Sequence, residues 1–190
     1  MKNIIVGLLV LVSIVLVGCS DLGVDVLDEL TNEEHKWKKE KAVVERVVDG
    51  DTIIVKRSDG QEGMSERVRL LLIDTPESVH PEKEPEYYGE ESSDYVKGLL
   101  KEGDSVTLEI GEDERDKYDR LLAHIWVDDM NLNKHLVEEG YAKVAFVFEP
   151  NTKYVDEFYR AEEKARESAK GVWSVEGYVT ENGFDMSVIE

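Results

Sequence analysis

The chain predicts a mainly β fold with inserted helices: a small closed barrel of about five short strands carrying about three α-helices. Three observations lead there. β-branched runs recur at short spacing, each bounded by turn residues. Three further stretches carry a helical period instead of an alternating one. The length, 190 residues of which 41% are hydrophobic, suits one globular domain with two appendages. No internal repeat is visible.

The strand runs are Ala42–Val48, Thr52–Arg57, Glu66–Ile73, Ser105–Ile110 and Leu121–Val127. Asp49-Gly50 and Ser58-Asp59-Gly60 supply the first turns. Asp74–Tyr88 holds three prolines and no usable period, so it is a loop. Gly89–Lys101 reads as a helix with Tyr95, Leu99 and Leu100 inward. Asn131–Glu139 is a short helix stopped by Gly140. Ala142–Phe148 reads as extended. The last helix starts near Thr152 and places Tyr154, Phe158, Ala161 and Ala165 on one face, at spacings of four, three and four. His124, within an apolar strand, reads as a satisfied core or rim residue, and Trp126 and Trp173 read as core.

The appendages have different characters. Lys2 followed by the apolar run Ile4–Leu16 and Leu16-Val17-Gly18-Cys19 reads as an export peptide over 1–18. Its ending resembles the lipobox of bacterial lipoproteins, which makes Cys19 the expected lipidation site and the membrane an expected partner, with the protein anchored outside the cytoplasm. Cys19 is the only cysteine, so no internal disulfide can form. Residues 19–40 are polar and charged and read as a tether. The globular domain is assigned to 41–174 and a polar tail, with a turn at Glu181-Asn182-Gly183, to 175–190. No heptad or exposed apolar seam is evident, so a monomer is expected.

Charge runs against the motifs. With 23 basic and 43 acidic residues the formal net charge is −20. That excludes a general basic footprint for tight, non-specific nucleic-acid binding. It leaves room for a local site built from a few arginines and a bound cation.

Three stretches supply such a site: Asp49-Gly50-Asp51-Thr52, Arg69–Glu77 and Asp116-Lys117-Tyr118-Asp119-Arg120. Taken singly each is bland. Asp-Gly between apolar runs is first of all a hairpin turn, and Asp before Thr-Pro commonly ends a strand. Their combination is not bland. Two strands ending in neighbouring carboxylates would bring Asp51 and Asp74 together, which is unfavourable unless a cation lies between them. No His or Cys accompanies the pair, so a hard ion with oxygen ligands fits, calcium ahead of zinc. Glu77 adds a carboxylate for a water, and Arg69 and Arg120 add two guanidinium groups suited to phosphate oxygens. Such a kit hydrolyses phosphodiesters.

In this order and spacing the stretches resemble the staphylococcal-type thermonuclease (micrococcal nuclease) family, over roughly 43–173. The resemblance implies a five-stranded OB-fold barrel. It implies Ca2+ held by Asp51, Asp74 and the Thr75 carbonyl, Glu77 as the carboxylate that orients or deprotonates the attacking water, and Arg69 and Arg120 as catalytic phosphate contacts. Lys117 and Tyr118 would contact a terminal phosphate of the bound nucleotide, and Phe146 a base. The implied substrates are DNA and RNA, cleaved to 3'-phosphate products.

Three departures bear on substrate affinity. The family commonly has Gly at the place of Asp119, which is expected to set a negative charge beside Arg120. Phe146 and Phe148 stand where tyrosines are usual, keeping a stacking face without the hydroxyl. Glu82-Lys83-Glu84-Pro85-Glu86 is acidic where family members are often basic. A barrel that binds nucleic acid without cutting is the alternative. The presence of Asp51, Asp74, Glu77, Arg69 and Arg120 together favours an enzyme over that module and over a purely structural surface protein.

Overall fold

Alternating burial starts the barrel. The computed structural model describes residues 37–58, 64–79 and 84–189; the export peptide, Cys19 and the tether through residue 36 lie outside them. Strand β1, Lys38–Val47, buries Glu40, Ala42 and Val44 and turns the residues between them outward. It pairs antiparallel with β2, Thr52–Arg57, and with β5, Ser105–Arg115. A bulge at Glu45, between the Val44 and Arg46 register positions, lets one strand serve both neighbours. β3, Ser65–Leu70, pairs antiparallel with β2 and parallel with β6, Leu121–Val127, which in turn pairs with β5. The parallel pair, Val68 opposite Leu121 and Leu70 opposite Ala123, closes the ring. The result is the five-stranded OB-type barrel that was expected, with three α-helices among the described residues.

Several boundaries differ from expectation. β1 begins at Lys38, three residues before the assigned domain start, because Glu40 is buried and pairs with Arg57 through Nη2–Oε2 at 2.9 Å. The run Glu66–Ile73 is not one strand. Leu72 takes a left-handed φ of 66°, and Ile73–Asp74 leave the barrel as β4. β4 pairs with β8, Lys143–Val144, setting Asp74 opposite Lys143. Beyond β8 the chain is not extended to Phe148, since Phe146 has φ 53°.

Helix α1, Gly89–Leu99, buries Ser92, Ser93 and Val96, with Tyr95 and Leu99 only partly covered and Leu100 buried just past its end. α2, Leu132–Glu138, follows the short β7, Met130–Asn131, and is capped by Asn131, whose Oδ1 accepts from Lys134 N at 3.1 Å. α3, Val155–Glu167, buries Phe158, Ala161 and Ala165 as expected, and Glu162, which accepts from Val144 N at 2.7 Å. No described helix is long and apolar enough to cross a membrane.

His124 is buried but not satisfied. Its ring stacks on Trp37 at 5.6 Å and meets Tyr154 and Phe158, and neither ring nitrogen has a hydrogen-bond partner. Burial pushes its pKa down to about 3, so it stays neutral. Trp126 and Trp173 are half-buried and not core; Trp126 Nε1 donates to the buried Glu109 at 2.8 Å. The tail is not featureless either. Val179–Thr180 (β9) and Gly183–Phe184 (β10) form a hairpin around the expected turn, and Tyr178 is fully buried.

Candidate functional site

At one mouth of the barrel lies a cleft of about 390 Å³, lined by Asp49, Asp51, Arg69, Asp74, Thr75, Glu77, Arg120 and Phe146 among others. Strand ends bring these residues together. The β1–β2 turn is tied by Val48 N to Thr52 O at 2.9 Å, and Leu70 N donates to Asp51 O at 2.9 Å. Arg69 therefore sits opposite Thr52, directly beside Asp51. The left-handed Leu72 then delivers Asp74 to the same mouth. Gly50 permits the approach of this turn to Thr75, since a Cβ there would lie 2.7 Å from Thr75 Oγ1.

Hydrogen bonds fix the acidic side chains. Asp51 accepts from Thr52 Oγ1 at 3.0 Å and from Thr75 N at 3.3 Å. Asp49 accepts from Asp51 N at 3.1 Å, turning inward across the tip of the hairpin. Arg69 Nη2 lies 3.0 Å from Asp51 Oδ2 and 3.6 Å from Asp74 Oδ1, and its Nη1 donates to Leu70 O at 2.6 Å. The Phe146 ring packs under the same guanidinium at 5.2 Å.

One guanidinium does not balance this charge. Burial first, and the Asp51 carboxylate second, raise both Asp49 and Asp74 to about 6, against the pull of Arg69 on each. Among the described residues no three His, Cys, Asp or Glu side chains form a ready metal cage. The expected donors, the Asp51 and Asp74 carboxylates with the Thr75 carbonyl, are all oxygen, and both carboxylates line a mouth short of positive charge. That fits a hard divalent ion completed by water, and does not fit a zinc site.

Arg120 is held differently from the expectation drawn from Asp119. Its Nε and Nη2 both reach Asp116 Oδ2 at 2.7 Å, while Asp116 Oδ1 accepts from Tyr118 N and Arg120 N. Those bonds hold the Asp116 carboxyl below its usual range despite partial burial. Asp119 points away. Its side chain is 87% exposed and lies 3.5 Å from Arg115, and its φ of 62° accounts for a position where glycine is usual. Lys117 and Tyr118 are not brought into the cleft: the exposed Tyr118 ring carries Lys117 at 4.9 Å and Arg120 at 5.4 Å. Phe148 is exposed and also outside it.

Glu77 enters the cleft from the proline-rich loop. Its Oε1 accepts from Val79 N at 2.9 Å, and its backbone N donates to Glu86 Oε2 at 2.9 Å. Asp49, Glu86 and the Asn182–Phe184 turn line the cleft without having been picked from the sequence. Asp49 was visible as the first residue of Asp-Gly-Asp. Glu86 was legible only as part of an acidic loop, and Asn182-Gly183 only as a turn, neither with any sign of the cleft.

A family model described as staphylococcal nuclease homologue matches residues 67–175. The chain belongs to that family. The staphylococcal nuclease match is supported by relatives along most of the chain. A thermonuclease of Staphylococcus hyicus is 34% identical over 182 residues, covering 92% of this chain and 99% of its own length. The SPbeta prophage-derived endonuclease YokF of Bacillus subtilis (strain 168) is 45% identical over 148 residues, 77% of this chain and 48% of its own. Endonuclease YncB of the same organism is 41% identical over 155 residues, 81% of this chain and 71% of its own. The chain thus spans about half the length of the first of the two Bacillus relatives.

Proposed function

We propose that this protein is a calcium-dependent nuclease that hydrolyses phosphodiester bonds of DNA and RNA, anchored through a lipidated Cys19 on the outer side of a membrane. The observation that carries the chemistry is a single cleft lined by Asp51, Asp74, Glu77, Arg69 and Arg120. Membership of the staphylococcal nuclease family, and relatives named thermonuclease and endonuclease, support it.

In this reading Asp51, Asp74 and the Thr75 carbonyl hold the ion. What the ion supplies is Lewis-acid polarisation of a phosphoryl oxygen. Glu77 orients a water and takes its proton as the oxygen attacks phosphorus. Arg69 and Arg120 meet phosphate oxygens as charge develops on them. Phe146 offers a face to a base. The acidic surface slows the approach of a polyanion, so binding is expected to be weak and sensitive to salt.

The test is cleavage of single-stranded and duplex DNA and of RNA by the full chain in detergent, with calcium or with chelator. Cleavage restored by calcium after chelation is expected. Undiminished cleavage in chelator would remove the ion from the mechanism, and binding without cleavage would make the protein a binding module. Incorporation of a labelled fatty acid, lost in Cys19→Ser, tests the anchor separately.

A further inference from the structure

The Glu77 backbone is held at both its N–H and its carbonyl by one residue, while its carboxylate rests on Val79 N. Glu86 accepts from Glu77 N through Oε2 at 2.9 Å and donates its own N–H to Glu77 O at 2.8 Å. Gly89 leaves room for this, since a Cβ there would stand 2.6 Å from the Glu77 carbonyl oxygen. Glu86 is anchored through its neighbour. The Tyr87 carbonyl accepts from Tyr178 OH, and Tyr87 N donates to Met186 Sδ at 3.2 Å, so two tail residues grip the backbone of one residue on both sides. The Tyr87 and Tyr178 rings meet edge to face at 5.4 Å.

The tail is itself fixed to β8. Lys143, whose register partner is Asp74, donates from Nζ to Thr180 O and to Glu181 O, the latter at 3.1 Å. Asp185 N closes back on Tyr178 O at 2.7 Å. Tyr178 is buried, and burial keeps its phenol protonated as a donor. Tyr178–Met186 lies outside residues 67–175, the stretch that the family model matches.

We propose that the C-terminal segment Tyr178–Met186 is a strap that positions Glu77, acting through Tyr87 and Glu86, with Glu86 as the positioning residue. The inference rests on the reading of Glu77 as the carboxylate that works on the water. The bond from Val79 N fixes the Glu77 carboxylate only relative to its own loop, so its place in the cleft depends on this bracing, and a misplacement of about 1 Å can cost about 100-fold in rate.

The test uses the full chain with Glu86→Ala, Glu86→Gln, Tyr178→Phe and Met186→Leu, read in two ways. Amide hydrogen exchange at Glu77 does not depend on activity. Glu86→Ala is expected to raise its exchange at least about tenfold, Tyr178→Phe and Met186→Leu to raise it less, and Glu86→Gln to preserve protection, because the amide oxygen still accepts the bond. In cleavage, Glu86→Ala is expected to lower kcat about 10–100-fold with KM within about twofold, and Glu86→Gln to restore most of it. Unchanged Glu77 exchange in Glu86→Ala overturns the strap whether or not the protein cleaves. Equal losses in Gln and Ala variants overturn it in favour of a role for the Glu86 charge. Changed exchange in a protein that cleaves nothing would leave the strap standing and refute the nuclease reading alone.

Discussion

Asn133 tests how the barrel is joined to the site. The side chain is fully buried on α2. Its Oδ1 accepts from Ile125 N at 3.0 Å, and its Nδ2 donates to Leu71 O at 3.0 Å and Ala123 O at 3.1 Å. Leu71 belongs to the turn that swings Asp74 out of the barrel. In Asn133→Leu, Ala123 O keeps the Leu71 N–H at 3.0 Å, but Ile125 N and Leu71 O lose their partners. Each buried orphan costs about 1–3 kcal/mol, so the variant should lose about 4 kcal/mol. For a folded unit of this size that corresponds to a fall in Tm of about 8–15 °C. Urea and thermal unfolding followed by circular dichroism measure it. Asn133→Asp should be worse at neutral pH, because its second oxygen would face two carbonyls. A loss below about 1 kcal/mol in Asn133→Leu would refute the claim that these bonds hold the turn.

Other consequences are sharper at the site. Gly50→Ala would drive a methyl to 2.7 Å from Thr75 Oγ1, so cleavage should fall about 100-fold with only a modest change in Tm; equal activity would mean the turn and Thr75 need not touch. Phe146→Ala, losing an exposed ring, should raise KM for single strands about tenfold and leave kcat within a fewfold, as steady-state kinetics will show. His124 gives an acid-side signature. Its folded pKa of about 3 lies below the ordinary 6.5, so the unfolded chain takes the proton first as pH falls. Its contribution is whole above pH 6.5 and is lost as pH drops toward 3, up to about 5 kcal/mol. His124→Phe should flatten stability across that window in urea titrations at pH 4 and 7; an unchanged slope would exclude His124 as the source.

What the sequence disclosed was local, and what it hid was long-range. Asp51, Arg69 and Asp74 could be found because each lies near a strand end beside turn residues, and Glu77 because it follows Asp74-Thr75-Pro76. The β-branched runs disclosed the strands, while the barrel that they close came from the resemblance. Leu72 could not be found as a break. A leucine at φ 66° is held there by its surroundings, here the pairing of Ile73–Asp74 with Lys143–Val144, and its side chain carries no hint of it. Lys38–Glu40 looked like a tether because charge masked the period, although Glu40 is buried against Arg57. Glu86 and Met186 are ordinary residues until the fold sets them on Glu77 and Tyr87. The charge beside Arg120 was foreseen on the wrong residue, since the left-handed Asp119 turns outward and Asp116 takes the arginine.

The most direct measurement of the central claim is single-turnover cleavage of a DNA oligonucleotide in saturating calcium, native chain against Glu77→Gln. The Gln variant keeps the shape and the backbone bonds to Glu86 and removes the proton acceptor. A rate lower by about 10²–10⁴-fold, with oligonucleotide affinity unchanged, is the predicted result. Cleavage at the native rate in Glu77→Gln would contradict it.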